Sequence, residues 1–200
     1  IDEIWHLKVY DRFLPQISEK GTVIDIGANI GIFSVKAALY QKSARVIACE
    51  PFPSNFELLR DNIAVNKLEN RVMPIRSAIA GARGTLTLFS HPHDSGGVSM
   101  HKYGETNDMA QTSVPAITLA DLFTEQKIGK CDYIKMDCEG AEKDILLNTP
   151  DELFARIKSW SIEWHEVLHH MSVHEGLAFF VSKGYKAEYS PITYTLYAIR

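Results

Sequence analysis

The chain has 200 residues, of which 46% are hydrophobic and 23% charged, a balance that fits a globular protein with a sizeable core. Its formal net charge of −4 excludes a broad polyanion-binding surface, so nucleic acid is not an expected partner. No apolar run approaches a membrane span, and the opening I-D-E-I-W-H lacks a basic-then-apolar leader, so neither membrane nor signal peptide is expected.

One domain is expected, with residues 1–20 forming a helix packed on or capping it and Trp5 and Tyr10 as packing residues. Val23–Ile26 is a short apolar strand, followed by helical spacing over Gly31–Gln41. Arg45–Cys49 is the next strand, and a helix runs from Ser54 to about Val65. Val72–Ile79 is a third strand. T-L-T-L-F-S (85–90) alternates like an antiparallel strand, the polar stretch from His91 to Asp108 reads as a loop, and its part from His91 to Asn107 is expected to shape acceptor binding. Tyr133–Met136 is the fourth strand, with E-G-A-E-K-D-I-L-L as a helix after it. Ile157–Ile162 is the fifth, with Trp160 and Trp164 on one side of it. After Gly184, Y-K-A-E-Y and T-Y-T-L-Y-A-I form a terminal hairpin. Alternating strand and helix patterns predict an α/β fold: a parallel sheet, helices on both faces, and a hairpin-and-loop insertion between the third and fourth strands. The cysteines Cys49, Cys131 and Cys138 form no C-x-x-C pair and read as small buried hydrophobes of a reducing, cytoplasmic compartment.

Ligands of open parallel sheets sit outside the carboxyl ends of the strands. There the sequence places Asp25 with Gly27-Ala28-Asn29-Ile30-Gly31, then Glu50-Pro51, Ser77-Ala78, Asp137 with Glu139 and Glu142, and Glu163 with His165. The two glycines allow a tight turn. Their spacing is G-x-x-x-G rather than the G-x-G-x-x-G of a dinucleotide loop, and no G-K-S/T follows. Asp25 would repel a pyrophosphate. It suits S-adenosylmethionine, which has no phosphate and carries an ammonium and a sulfonium. Glu50 fits as acceptor for two ribose hydroxyls, as in dinucleotide folds.

The segments V-I-D-I-G-A-N-I-G-I-F-S, C-E-P-F-P-S-N-F-E-L-L-R-D-N and I-K-M-D-C-E-G-A-E-K-D-I-L together resemble the FkbM-type S-adenosylmethionine-dependent methyltransferases, from about Gly21 to the C-terminus. The resemblance implies a Rossmann-like seven-stranded sheet with an antiparallel last strand, and methylation of a hydroxyl oxygen on a sugar or natural product. It implies cofactor contacts from Asp25, Gly27, Asn29, Gly31 and Glu50, with Ser77 and Ala78 near the adenine. Asp137, Glu139 and Glu142 match the acidic motif, and Glu163-Trp164-His165 the E-x-H of the fifth strand.

Methyl transfer to an alcohol gains from a general base within hydrogen-bond reach. His165 is the expected base, oriented by Glu163 or Asp137, with Glu139 as a further candidate. Glu142 reads equally as an acid that stabilises a helix start. Asp137, Glu139 and Glu163 are oxygen donors without diagnostic metal spacing, and no metal is expected. His91, His93 and His101 are expected to bind substrate or be exposed, His169 and His170 to be surface residues, and Trp164 to pack or stack on a sugar. Alternatives are a macromolecular methyl acceptor, an NAD-dependent oxidoreductase and a non-catalytic module.

Overall fold

The computed structural model describes residues 2–91, 94–99 and 110–200, with side chains described for residues 4–90 and 110–200. The elements in chain order are α1 (Asp2–Trp5), β1 (Thr22–Ile26), α2 (Ile32–Tyr40), β2 (Arg45–Cys49), α3 (Pro53–Val65), β3 (Val72–Ile75), β4 (Ala78–Ile79), β5 (Gly84–His91), β6 (Asp94–Ser99) and β7 (Ala110–Ile117). There follow α4 (Leu119–Glu125), β8 (Cys131–Met136), α5 (Glu142–Asn148), α6 (Asp151–Phe154), β9 (Ile157–Glu163), α7 (Glu166–His169), α8 (Val173–Ser182), β10 (Lys186–Ser190) and β11 (Thr195–Ile199).

Seven strands form the main sheet in the order β10-β11-β9-β8-β1-β2-β3. The pairs from β9 to β3 are parallel, while β11 runs antiparallel to both β9 and β10. The central strands are nearly continuous apolar runs because both faces are covered. Alternation along each strand sends one set of side chains to each face. Ile24, Ile26, Ile134, Met136, Trp160 and Ile162 pack with Leu122, Phe123, Leu146, Phe154 and Phe180 of α4, α5, α6 and α8. Val23, Val46, Ala48 and Tyr133 pack on the other face, with Phe33 of α2, Leu59 and Ile63 of α3, and Phe13, Leu14 and Ile17 from the N-terminal segment. Chain order reverses between β1 and β8, so their following loops diverge and open a crevice, the usual ligand position in such sheets.

Three expectations are corrected. Residues 1–20 are not one helix: α1 has four residues and a short 3-10 turn spans Leu14–Gln16. Pro15 and the left-handed backbone of Lys8 (φ 55°) break the helical path. The third apolar run divides after Ile75, since β4 leaves the main sheet and pairs with β7. The insertion is more than a hairpin with a loop, for β4-β7-β5-β6 form a second four-stranded sheet. Within it β5 is antiparallel to β7 and β6, so part of the polar stretch read as loop is a strand. The readings placed on His93, His101 and most of the 91–107 loop lie outside the described residues, as does the side chain of His91. Among the described residues, no helix is long and apolar enough to cross a membrane.

Candidate active site

A cavity of about 370 Å³ opens at the carboxyl ends of β1, β2, β8 and β9. Gly27 and Asn29 form its wall after β1, Glu50 and Pro51 after β2, and Asp137 and Glu139 after β8. Glu163 closes the β9 side. Ala78, Ile79 and Leu88 supply an apolar wall from the second sheet.

The first loop is shaped by close backbone approach. Asp137 N–H donates to Ile26 O at 3.0 Å, which brings the β8 loop onto the β1 loop. A Cβ on Gly27 would lie 1.8 Å from Asp137 O, and its φ of 73° is in the left-handed region, so this position requires glycine. Gly31 (φ 84°) is pressed against Leu59 of α3, where a Cβ would meet Cδ1 at 2.4 Å. Asn29 is also left-handed (φ 51°), a conformation its side chain tolerates better than most. Its N–H donates to Glu50 Oε2 at 2.8 Å, and Phe52 N–H donates to Glu50 Oε1 at 2.8 Å. One backbone donor thus holds each oxygen of Glu50, and each oxygen keeps acceptor capacity for a ligand. Burial raises the Glu50 carboxyl to about 7, against the lowering effect of those two N–H groups and of Lys135.

Asp25 does not line the cavity. It is fully buried, with Ser34 Oγ donating to Oδ2 at 2.6 Å and Lys135 Nζ 3.4 Å from Oδ1. Strand alternation explains this: Asp25 shares the sheet face of Val23, and register places it opposite Lys135 of β8. Lys135 Nζ also donates to Gly27 O at 2.7 Å and lies 3.5 Å from Asp137 Oδ2. The charge of Asp25 is therefore answered by a buried lysine rather than by a cofactor, and the pair ties the β1 loop to the β8 loop from beneath. Burial would depress the Lys135 ammonium, but Asp25 and Asp137 outweigh it and raise it above its ordinary value. Ala28 and Gly31 shape the loop without lining the cavity, and Ser77 Oγ turns away to donate to Pro115 O at 3.0 Å.

His165 stands behind the cavity wall. Its Nδ1 is 2.8 Å from Oε1 of the fully buried Glu142, and its Nε2 lies 3.6 Å from Glu139 Oε2 and 3.8 Å from Glu163 Oε1. Glu142 also accepts from Gly140 N at 3.0 Å and Cys138 N at 3.3 Å, so this carboxylate ties the loop after β8 to the residues after β9. Burial pulls the imidazole down, but the Glu142 hydrogen bond and charge, with the charges of Glu139 and Asp137, raise it to about 9. His165 is therefore protonated at neutral pH. Glu163 is pushed up to about 7, first by burial and then by Asp137, against a hydrogen bond from Tyr10 and the charges of His165 and Lys135. The structure thus puts the near-neutral titrating group at Glu163 rather than at His165, the residue expected to be the base.

Sequence reasoning missed several of these groups. Lys135 was visible as a charge inside the apolar run I-K-M, but the pattern does not show which way its side chain points; Glu142 was named in the acidic motif, but its contact with His165 was not foreseen. Tyr10 was read as a packing residue, and nothing in its spacing pointed to the site: its hydroxyl lies 2.9 Å from Glu163 Oε2. Cys49, Asn55 and Cys138 line the cavity from within the quoted segments without having been singled out, and Leu88 lines it without any motif. Burial and the charges of Glu142 and Asp137 push the Cys138 thiol well up, so it stays protonated. His169 is buried, not superficial: Met171 N–H donates to its Nδ1 at 3.2 Å and its ring edge packs on Trp164. Trp164 is itself buried and donates to Met171 O at 3.0 Å, so it packs the core and is not a sugar platform.

Among the described residues, Asp137, Glu163 and His165 offer donor atoms within 4.8 Å of one another, a spacing that a divalent ion could bridge. Glu163 also accepts from Tyr10, and Asp137 Oδ2 lies 3.5 Å from Lys135 Nζ.

The methyltransferase FkbM domain matches residues 25–187. The 31-O-demethyl-FK506 methyltransferase FkbM of Streptomyces tacrolimicus is 28% identical over 192 residues, covering 82% of this chain and 73% of that protein. Methyltransferase sdnD of Sordaria araneosa is 26% identical over 191 residues, with the same shares. The fold is similar to that of M. capricolum TrmK, solved with S-adenosylhomocysteine, at a TM-score of 0.55 and 14% identity over 98% of this chain and 67% of that one. With four of its strand ends converging on one acid-rich cavity, and the matched segment spanning all of them, the chain belongs to the FkbM methyltransferase family.

Proposed function

We propose that this methyltransferase uses S-adenosylmethionine to methylate a hydroxyl of a neutral saccharide or secondary metabolite, with Glu163 as the general base. The observation that carries the reading is the pairing of Glu50 and Glu163 in one cavity, three strand spacings or about 14 Å apart across the sheet. Glu50 would accept both ribose hydroxyls, and Ala78, Ile79 and Leu88 would give the adenine an apolar wall. Asp137 and Glu139 would face the cationic end. When bound, S-adenosylmethionine supplies an electrophilic methyl group on a sulfonium. Glu163 Oε1 then accepts the acceptor's hydroxyl proton as the oxygen attacks, a role that suits a carboxyl raised to about 7. His165, charged and held by Glu142, fixes Glu139 and Glu163 around the acceptor. The acidic wall disfavours phosphorylated acceptors. The Streptomyces relative, whose name places its methyl group on an oxygen of FK506, and the S-adenosylhomocysteine bound to TrmK support the same reading.

The test is incubation with methyl-labelled S-adenosylmethionine and a panel of methyl glycosides, macrolactone alcohols, a peptide mixture and tRNA. An O-methyl product from a neutral polyhydroxyl acceptor, with S-adenosylhomocysteine formed in equal amount, is expected. Methyl transfer to the peptide or tRNA alone would overturn the acceptor class.

A further inference from the structure

Tyr10 lies outside the segment that the family match covers, yet its hydroxyl meets two acids of the cavity wall from behind. Its hydroxyl is 2.9 Å from Glu163 Oε2 and 3.4 Å from Asp137 Oδ2. A phenol has a single proton, so the shorter contact takes it and Glu163 is the acceptor. The longer contact keeps the two carboxylates on either side of one oxygen.

The ring is not free to leave. Tyr10 is 3% exposed, its ring meets Phe33 edge-on at 5.8 Å, and Lys135 Nζ stands 5.4 Å from its centroid. The main chain is pinned on both sides: Tyr133 Oη donates to Tyr10 O at 2.8 Å, and Tyr197 Oη donates to Val9 O at 2.7 Å. Phe13, Leu14 and Ile17 anchor the following residues in the core. Two buried tyrosines, from β8 and β11, thus hold this irregular segment against the end of β9.

We propose that Tyr10 is a positioning residue of the methyl-transfer centre. Its hydroxyl engages Glu163 Oε2 and leaves Oε1, the oxygen nearer His165, to face the acceptor. The N-terminal segment is then part of the active site and not merely a cap on the sheet. The proposal rests on the reading of Glu163 as base.

Burial and the charges of Asp137 and Glu163 push the phenol well above its ordinary value, so it remains a donor at any working pH. A donor to the carboxylate favours the ionised form of Glu163. The other groups bearing on Glu163 are Asp137 and Lys135 from β8 and its loop, and His165 after β9. Asp137 raises its proton affinity, while Lys135 and His165 lower it.

The test uses the full chain labelled with carboxyl-13C glutamate, with Glu163→Gln identifying the Glu163 signal. Tyr10→Phe keeps the ring and removes the hydroxyl. With S-adenosylhomocysteine bound, the Glu163 titration midpoint should rise by about one pH unit in Tyr10→Phe. Its affinity for S-adenosylhomocysteine should stay within about twofold, because Tyr10 lines no part of the cavity. Turnover on the acceptor found with the panel above should fall at pH 7 and recover in part at higher pH. An unmoved midpoint overturns the proposal, and this reading needs no acceptor. If Glu163→Gln is inactive while Tyr10→Phe matches wild type in midpoint and turnover, the proposal alone fails. If Glu163→Gln retains wild-type turnover, Glu163 is not the base and Tyr10 has no base to position.

Discussion

Lys135→Met is expected to destabilise the protein by about 3–5 kcal/mol, the usual cost of removing one partner of a buried ion pair. Lys135 is 3% exposed and its Nζ is shared by Asp25, Asp137 and Gly27 O. Methionine fills the volume but leaves Asp25, itself fully buried, with Ser34 Oγ as its remaining side-chain donor among the described residues. Domains of this size have about 5–15 kcal/mol in total, so the loss is a large share. It corresponds to a fall in Tm of about 6–20 °C. The pH direction follows from the raised pKa of Lys135: its contribution is full below the ordinary lysine value and is lost only as pH rises through the folded value. The deficit should therefore be constant across neutral pH. Asp25→Asn in the same background should restore part of the loss, because the pair is coupled. Urea unfolding of the four proteins of that cycle measures it. A Lys135→Met protein within about 1 kcal/mol of wild type would contradict the ion pair as drawn.

Glu163→Gln should lower turnover by about 10²–10⁴-fold, the usual contribution of a general base. Glutamine keeps the size and can still accept from Tyr10, so the fold and cofactor binding should survive. The wild-type rate should rise with pH through about 7, where Glu163 becomes ionised, and that limb should be absent from the variant. His165→Gln tests the competing assignment. Its imidazolium offsets Glu139 and Glu163, so its loss should raise the Glu163 limb and lower the rate near neutral pH, with recovery at higher pH. A Glu163→Gln variant with the wild-type rate, beside a dead His165→Gln variant, would return the base to His165.

The strands of the main sheet were legible because each is an apolar run bounded by polar or glycine residues. Arg45–Cys49 was read to the residue, and the terminal hairpin followed from alternation after Gly184. The second sheet was not, since β7 has a proline and only partial alternation, and β4 is two residues that continue the apolar run of β3. At the site, Glu50, Asp137 and Glu163 were legible because they end strands, and strand ends in a parallel sheet share one edge. Asp25 misled for a local reason. It lies within β1 rather than after it, so strand alternation sends it under the loop. Its partner Lys135 is 110 positions away in chain order, and register between β1 and β8 brings them together. Tyr10 is farther still from Glu163, and no spacing rule connects an irregular N-terminal segment to a strand end.

Calorimetric titration of S-adenosylhomocysteine at pH 8 and pH 6, with NAD as the comparison, tests whether this cavity holds the methyl donor through Glu50. The carboxyl must be ionised to accept two hydroxyls, and burial places it at about 7, so binding should weaken as pH falls below that value. The expected result is one S-adenosylhomocysteine per chain at pH 8, about tenfold weaker affinity at pH 6, and no heat with NAD. Glu50→Ala should bind weakly at both pH values and lose the difference between them. Binding of NAD without S-adenosylhomocysteine, or S-adenosylhomocysteine affinity that ignores both pH and Glu50, would contradict it.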